Sequence, residues 1–96
     1  MSEAPSPVTF LAYISGLVMA AAVYLGDQAD PVTGLRSVNL TSAGHAIDVL
    51  SMLQERTKGN LSPEERQFLE QALAELRLKY IEAARKKDGG SRLVTP

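Results

Sequence analysis

The residues that could carry chemistry are few in this chain, and they form no catalytic or metal-binding pattern. His45 is the only histidine, and Asp48 follows it by three residues on the same helical face, so the two offer a metal ion two ligands. No further histidine or cysteine completes a site, and metal centres of this kind use three or four protein ligands. We therefore interpret His45 as a partly exposed helix residue and expect no metal and no other cofactor.

Two other patterns superficially suggest binding or catalysis. Residues 57–60 (Thr-Lys-Gly-Asn) resemble part of a phosphate-binding loop but lack its flanking glycines. The serines have no histidine at a spacing typical of nucleophilic catalysis. The helix that follows the turn begins with Glu64 and Glu65, which would face nucleic-acid phosphates unfavourably. We expect a protein that is not an enzyme and that does not bind nucleic acid.

One pair of charged residues suggests a structural role. Asp48 lies in an otherwise apolar run, and Arg77 lies between Leu76 and Leu78. In an antiparallel helical hairpin that turns at residues 59–61, the long Arg77 side chain can reach back towards Asp48. We predict a buried or half-buried ion pair between them that fixes the register within the hairpin or across a dimer.

The elements that position these residues are organised around residues 8–25, a stretch without any charged residue. At helical spacing this stretch carries three apolar stripes, and a helix that is apolar all round must be buried all round, in protein or in lipid. The aromatic-rich stripe is Phe10, Tyr13, Leu17, Ala20 and Tyr24; the aliphatic stripe is Leu11, Ile14, Val18, Ala21 and Leu25; the small-residue stripe is Ala12, Gly16 and Ala20.

Two further helices cannot cover every side of the first one, because each shields only about a third of its circumference at the usual packing distance. The uncovered stripe therefore predicts self-association into a homo-oligomer, with a dimer favoured. We expect the aromatic-rich or the small-residue stripe to form the contact. The candidate interface residues are Phe10, Tyr13, Gly16, Leu17, Ala20 and Tyr24.

Insertion of residues 8–25 into a membrane is an alternative. Eighteen helical residues would span roughly 27 Å, just within the transmembrane range. The flanks argue against insertion, because Glu3 and Asp27 are acidic and the first basic residue is Arg36. The acidic segment before the apolar run also argues against a signal peptide. Protein burial is therefore favoured over lipid.

A pocket for a lipophilic ligand between the helices is a further alternative. It would be lined by Phe10, Tyr13, Met19 and Tyr24. Core packing is the commoner role of such apolar stripes. Co-purification of apolar small molecules would favour the pocket, whereas a requirement for detergent would favour the membrane.

The first helix is followed by a long connector, residues 27–38. Gly26 is predicted to end the helix in the left-handed conformation. Residues 30–34 (Asp-Pro-Val-Thr-Gly) are typical of a turn. Because a connection of twelve residues is long for two neighbouring helices, we expect this loop to make contacts of its own.

The remainder of the chain predicts a helical hairpin. Asn39, with Thr41 as second choice, is a suitable N-cap for a second helix over about residues 40–58. Ser62 as N-cap, Pro63 at the first position and Glu65 at the third form a capping box that opens a third helix over about residues 63–86. On that helix Glu75 and Lys79 are four residues apart, which supports an exposed face. The hairpin-turn residues are Lys58, Gly59, Asn60, Ser62, Pro63 and Glu65.

Length and composition agree with this organisation. The chain has 96 residues, a net charge of −1 and no cysteine, which fits a single domain in a reducing cytoplasm. Residues 1–7 are predicted to form an unstructured lead-in and residues 88–96 a flexible tail. The predicted fold class is all-α: a three-helix domain over residues 8–87, with a central apolar helix plus an antiparallel hairpin.

Several segments resemble one family of small bacterial proteins. They are residues 47–53, residues 55–65, Leu76-Arg77 with Tyr80, and in the first half Tyr24-Leu25-Gly26, Asp30-Pro31, Gly34 and Asn39-Leu40. Together they are similar to the family catalogued as domain of unknown function 1844. The resemblance covers roughly residues 10–80, and the Thr-Lys-Gly-Asn-Leu turn is its most specific part. It implies a bacterial, helical, cytoplasmic protein, and it implies no activity because the family has none assigned.

These observations favour a non-catalytic structural or protein-interaction module. Its first helix and its hairpin would build an apolar core that is shared between copies. We expect it to act as a small subunit or adaptor of a larger bacterial complex.

Overall fold

The computed structural model describes residues 8–94 of the chain, with side chains described for residues 8–86. It contains the helices α1 (Phe10–Tyr24), α2 (Leu40–Arg56) and α3 (Pro63–Val94). The described residues form no strand, so the predicted all-α class of three helices is confirmed. The predicted lead-in, residues 1–7, lies outside the described residues, as do residues 95 and 96.

α1 is shorter than the predicted helix over residues 8–25, because both of its ends are capped inside that range. The Thr9 hydroxyl accepts a hydrogen bond from the Ala12 N–H at 3.0 Å and starts the helix at Phe10. At the other end Gly26 has a φ of 79°. The N–H groups of Gly26 and Asp27 donate to the carbonyls of Val23 and Ala22, which is the Schellman pattern.

α2 begins after the predicted cap but ends two residues early. The Asn39 side chain accepts from the Ser42 N–H at 3.0 Å, as an N-cap does. After Arg56 the chain leaves the helical conformation at Thr57, whose hydroxyl donates to the Leu53 carbonyl at 2.6 Å. The turn into α3 therefore begins at Thr57.

α3 opens with the capping box and continues past its predicted end. The Glu65 N–H donates to Ser62 Oγ at 3.1 Å, and the Ser62 N–H donates to Glu65 Oε1 at 2.9 Å. The prediction that the helix ends at about residue 86 is wrong, because α3 extends to Val94, whereas the flexibility of residues 88–96 stays a prediction. Glycine weakens a helix by only about 1 kcal/mol relative to alanine. The glycines at positions 89 and 90 therefore do not end α3.

The core lies between the three helices. Ile14 of α1, Leu50 of α2, and Leu69 and Leu73 of α3 are its largest fully buried side chains. α1 packs more extensively against α2 than against α3, and α2 also packs against α3. Among the described side chains no polar or charged one is buried, so apolar burial holds the helices together.

Candidate interaction surface

One face of α1 is covered by the hairpin, and the opposite face is not. The covered face is the aliphatic stripe, in which Ile14, Ala21 and Leu25 are buried. The outward face of α1 is wholly or partly exposed, with 57% of both Tyr13 and Met19 accessible. It comprises Ala12, Tyr13, Gly16, Met19, Ala20, Val23 and Tyr24. The sequence-based inference that two helices cannot cover an all-round apolar helix therefore holds for the single chain.

The predicted interface residues are divided between these two faces. Tyr13, Gly16 and Tyr24 are exposed and Ala20 is partly exposed, so four of the six belong to the outward face. Phe10 and Leu17 instead pack against the core. They lie four residues before and three residues after the fully buried Ile14, and residues at that spacing share one face of a helix.

The connector between α1 and α2 is an ordered loop whose ends meet. The Asn39 N–H donates to the Tyr24 carbonyl at 2.7 Å, which closes the loop. Inside it, the Asp30 N–H donates to the Leu35 carbonyl at 2.8 Å, and Asp30 Oδ1 accepts from the Val32 N–H at 2.7 Å. A compact loop of this length with adjoining ends is an Ω-loop, and we use that name for residues 25–38.

The Ω-loop displays aliphatic side chains on a backbone held by hydrogen bonds. Val32 is 90% exposed, Leu35 69% and Val38 56%. Exposed apolar residues on a loop are ordinary, and Val38 borders a depression that it shares with Lys79 and Ala83 of α3, away from the outward face of α1. We expected this long connector to make contacts of its own. Most of those it makes are hydrogen bonds within the loop, which fix its shape.

A groove separates the outward face of α1 from the Ω-loop. Its α1 side is formed by Gly16, Met19, Ala20, Val23 and Tyr24, and its other side by residues 28–31 of the loop. Apart from the backbone of α1 itself, no described atom lies within 4 Å of the position that a Cβ on Gly16 would take. The groove is therefore open above Gly16.

The four residues predicted to line a lipophilic pocket do not come together within one chain. Met19 and Tyr24 line the groove beside the Ω-loop. Phe10 packs against the core on the other side of α1, and Tyr13 lies on the outward face before the groove begins.

Lys79 joins the Ω-loop to α3. Its Nζ atom lies 2.7 Å from Oδ2 of Asp27 and 3.5 Å from Oε2 of Glu75. The hydrogen bond to Asp27 is the main cause that raises the pKa of Lys79 above its ordinary value, while partial desolvation opposes the rise. The spacing of Glu75 and Lys79 was visible in the sequence, whereas the contact with Asp27 depends on the tertiary fold.

One protein-family model matches most of the chain. The family model described as Domain of unknown function (DUF1844) matches residues 7–82. The chain belongs to the DUF1844 family. The match includes α1, the Ω-loop, α2 and most of the part of α3 that packs on them, so the outward face and its groove lie within the family domain. A search of curated proteins and a search of solved structures each found no match.

The hairpin turn of this DUF1844 domain reverses the chain by a tight turn. The Asn60 N–H donates to the Thr57 carbonyl at 2.8 Å, and Gly59 has a φ of 86°. Lys58, Gly59 and Asn60 are exposed, and Pro63 occupies the first position of α3. Chain reversal and capping account for the residue types in this segment.

The predicted ion pair between Asp48 and Arg77 does not form within the hairpin. Arg77 Nη2 instead donates to Ser51 Oγ at 3.1 Å, and both Asp48 and Arg77 are exposed. Asp48 lies two residues before the fully buried Leu50, and that spacing places it on the solvent side of α2. Pairing of Asp48 with Arg77 across a dimer stays a prediction.

The described part of this DUF1844 chain contains neither a cluster of metal ligands nor a helix suited to cross a membrane. His45 is exposed on α2, and no group of three or more His, Cys, Asp or Glu side chains in that part could hold a metal ion. Over the same residues, none of the helices combines the length and the apolar character that crossing a membrane requires.

Proposed function

We propose that this DUF1844 protein is a non-catalytic structural module that self-associates through the outward face of α1. The observation that carries the proposal is the contrast between the two faces of α1. One face buries Ile14, Ala21 and Leu25, while the other leaves Tyr13 and Met19 more than half exposed. Contiguous exposed apolar surface on a small domain is typical of protein interaction sites.

A second copy of the chain is the partner that fits this surface most simply. Residues 8–25 contain no charged side chain, so two outward faces can meet without repulsion or the desolvation of a charge. A two-fold contact uses the same surface on both copies, which such an uncharged face permits. The exposed Gly16 and Ala12 would allow the two helix backbones to approach closely.

We also propose that the assembled module acts in the bacterial cytoplasm, where it serves as a small subunit or adaptor of a larger complex. The absence of cysteine fits a reducing compartment. The exposed apolar residues on α2 and α3, among them Met52, Leu78 and Ile81, offer further contact surface to such a complex.

The first test is the absolute mass of the purified protein in detergent-free buffer, measured by light scattering on a sizing column. We expect a dimer at micromolar concentration. A monomer would overturn the proposal. Aggregation relieved only by detergent would do the same in favour of membrane association, and co-purified apolar small molecules would favour a lipophilic-ligand protein.

Two glutamate variants locate the contact. Gly16→Glu places a charge at the centre of the outward face, where the protomer has room for a side chain, and we expect it to give a folded monomer. Ser15→Glu adds the same charge one residue earlier at the exposed edge of α1 and serves as the control. Equal dissociation of both variants, or of neither, would contradict the assignment of the outward face.

Gly16→Ala separates the stability of the protomer from that of the dimer. Alanine stabilises an exposed helix interior by about 0.5–1 kcal/mol relative to glycine, so the protomer should resist denaturant better. An added methyl group in a close contact between helices should weaken the dimer. We expect the two quantities to move in opposite directions, and parallel changes would argue against close approach at Gly16.

A further inference from the structure

We infer that the second copy lies antiparallel along α1 and places its Tyr13 in the groove beside the Ω-loop, so that the loop forms part of the dimer contact. This inference rests on the proposed self-association and specifies its geometry. Three observations carry it: the small extent of α1, the groove between α1 and the loop, and the spacing of residues along the outward face.

The extent of α1 shows that the helix alone makes too small a contact. Its 15 residues give a length of about 22 Å, and with a width of about 10 Å its footprint is about 220 Å². A stable interface buries about 800 Å² on each partner. Side chains give a contact more accessible area than its flat footprint, but the difference is too large for α1 alone. A stable dimer therefore needs additional surface next to α1.

The Ω-loop supplies that surface. Residues 28–31 of the loop form one side of the groove whose other side is α1, so the two elements border one continuous concave surface. Val32 follows directly and is 90% exposed. The hydrogen bonds on Asp30 and between Asn39 and Tyr24 hold the loop in place, so little ordering entropy would be lost on docking.

The spacing along α1 selects the antiparallel direction. Gly16 and Ala20 are the small residues on the α1 side of the groove. When Gly16 of one copy faces Ala20 of the other in antiparallel helices, Tyr13 lies three residues before the first and Val23 three residues after the second. Tyr13 of each copy therefore meets Val23 of the other, and Val23 lines the groove opposite the loop.

A parallel arrangement makes a poorer contact. It would set Gly16 against Gly16 and Tyr13 against Tyr13, so the two bulky side chains would meet each other and leave both grooves empty. In the antiparallel arrangement each ring is buried in the other copy, and Gln28 and Asp30 at the groove offer acceptors for the tyrosine hydroxyl. The two-fold axis makes both contacts equivalent.

Disulfide cross-linking tests the direction, because the natural chain has no cysteine. Tyr13→Cys and Val23→Cys, the second carrying a mass tag, are refolded together and oxidised. A disulfide requires Cα atoms within about 7 Å. In the antiparallel dimer Tyr13 faces Val23, whereas like positions are offset by about 15 Å along the helices, because ten residues at about 1.5 Å each separate the two positions. We expect the mixed disulfide to dominate, and dominance of like-with-like disulfides would overturn the inference.

Lysine variants test the loop. Val32→Lys places a charge on the loop at a side chain that makes almost no contact in the protomer, and we expect the dissociation constant to rise at least about tenfold. Leu78→Lys, on α3 outside the groove and 57% exposed, is the control and should leave the constant unchanged. Circular dichroism of both variants establishes that the protomer is folded.

The outcomes distinguish this inference from the proposed function. If Gly16→Glu dissociates the dimer while Val32→Lys leaves its dissociation constant within twofold, self-association through α1 stands and the role of the loop is refuted. If the unmodified protein is a monomer, both the proposed self-association and the role of the loop are refuted.

Discussion

Nζ of Lys79 lies 2.7 Å from Oδ2 of Asp27, a contact that joins two residues 52 positions apart and fastens the Ω-loop to α3. The two side chains are 32% and 43% exposed, so water screens their attraction. At its other end the loop is held by the Asn39 N–H on the Tyr24 carbonyl. Besides the bonds that Gly26 and Asp27 donate to α1, one ion pair and one backbone hydrogen bond therefore orient the loop.

The first prediction concerns this ion pair. A double-mutant cycle with Lys79→Met and Asp27→Asn should give a coupling free energy below about 1 kcal/mol at neutral pH, because the pair is partly exposed. The pKa of Lys79 is raised in the folded state, so its stabilising contribution is present at neutral pH and is lost as the pH rises through that value, above the ordinary 10.5. Denaturant unfolding at neutral pH and at a pH above the pKa of Lys79 measures the coupling free energy with Lys79 charged and with Lys79 neutral.

The control for this cycle is Lys58→Met, which removes an exposed lysine in the hairpin turn. Combined with Asp27→Asn it should show no coupling at either pH. A Lys79–Asp27 coupling that persists when Lys79 is deprotonated would refute the electrostatic explanation.

The second prediction compares two glycines with similar backbone angles. Gly26 and Gly59 have φ values of 79° and 86°, and alanine in this left-handed region costs about 1–2 kcal/mol. A Cβ on Gly26 would also lie 2.9 Å from Cγ2 of Val38, whereas at Gly59 it would meet no described atom within 4 Å. Gly26→Ala should therefore lower the free energy of unfolding more than Gly59→Ala.

The added cost at Gly26 can be assigned by a second change. Val38→Ala removes the atom in question and should bring the cost of Gly26→Ala close to that of Gly59→Ala in denaturant unfolding. An unchanged difference would place the cause elsewhere in the loop.

Short-range features of this fold were predictable from the sequence, because their partners lie within one helical turn. The capping box of Ser62 and Glu65, the Asn39 cap and the left-handed Gly26 all depend on residues a few positions apart. In the hairpin turn, Gly59, Asn60 and Pro63 are residue types that favour turns and helix starts over other backbone conformations. The resemblance to the DUF1844 family is confirmed, and the Thr-Lys-Gly-Asn-Leu turn is its most specific part.

Features decided by packing were not predictable. All three stripes of α1 are apolar, so hydrophobicity alone could not select Ile14 for the core and leave Gly16 outside. The partner of Lys79 lies in a loop whose path the sequence did not define. The end of α3 was not predictable, because the two glycines at positions 89 and 90 weaken a helix but do not by themselves end it.

The third prediction concerns the start of α3. Ser62→Ala removes the hydroxyl that accepts from the Glu65 N–H and should lower the free energy of unfolding by about 1 kcal/mol. Glu65→Ala should also be destabilising, because its carboxylate accepts from the Ser62 N–H. Glu64→Ala is the matched control in the same turn and loses only its attraction to the helix dipole. Equal effects of Glu64→Ala and Glu65→Ala in denaturant unfolding would exclude the capping box as the cause.

The fourth prediction concerns the partner of Arg77. Its hydrogen bond to Ser51 crosses from α3 to α2 at an exposed position, so Arg77→Met should change the free energy of unfolding by less than about 1 kcal/mol. A double-mutant cycle of Arg77→Met with Ser51→Ala should show coupling, whereas a cycle with Asp48→Asn should show none in the monomeric Gly16→Glu background. The same Asp48 cycle in the dimer examines pairing across the two copies. We expect no coupling there either, because Asp48 and Arg77 lie on the hairpin and the proposed contact uses the opposite face of α1. Coupling to Asp48 that appears only in the dimer would place the interface on α2 and α3 and would contradict the assignment of the outward face.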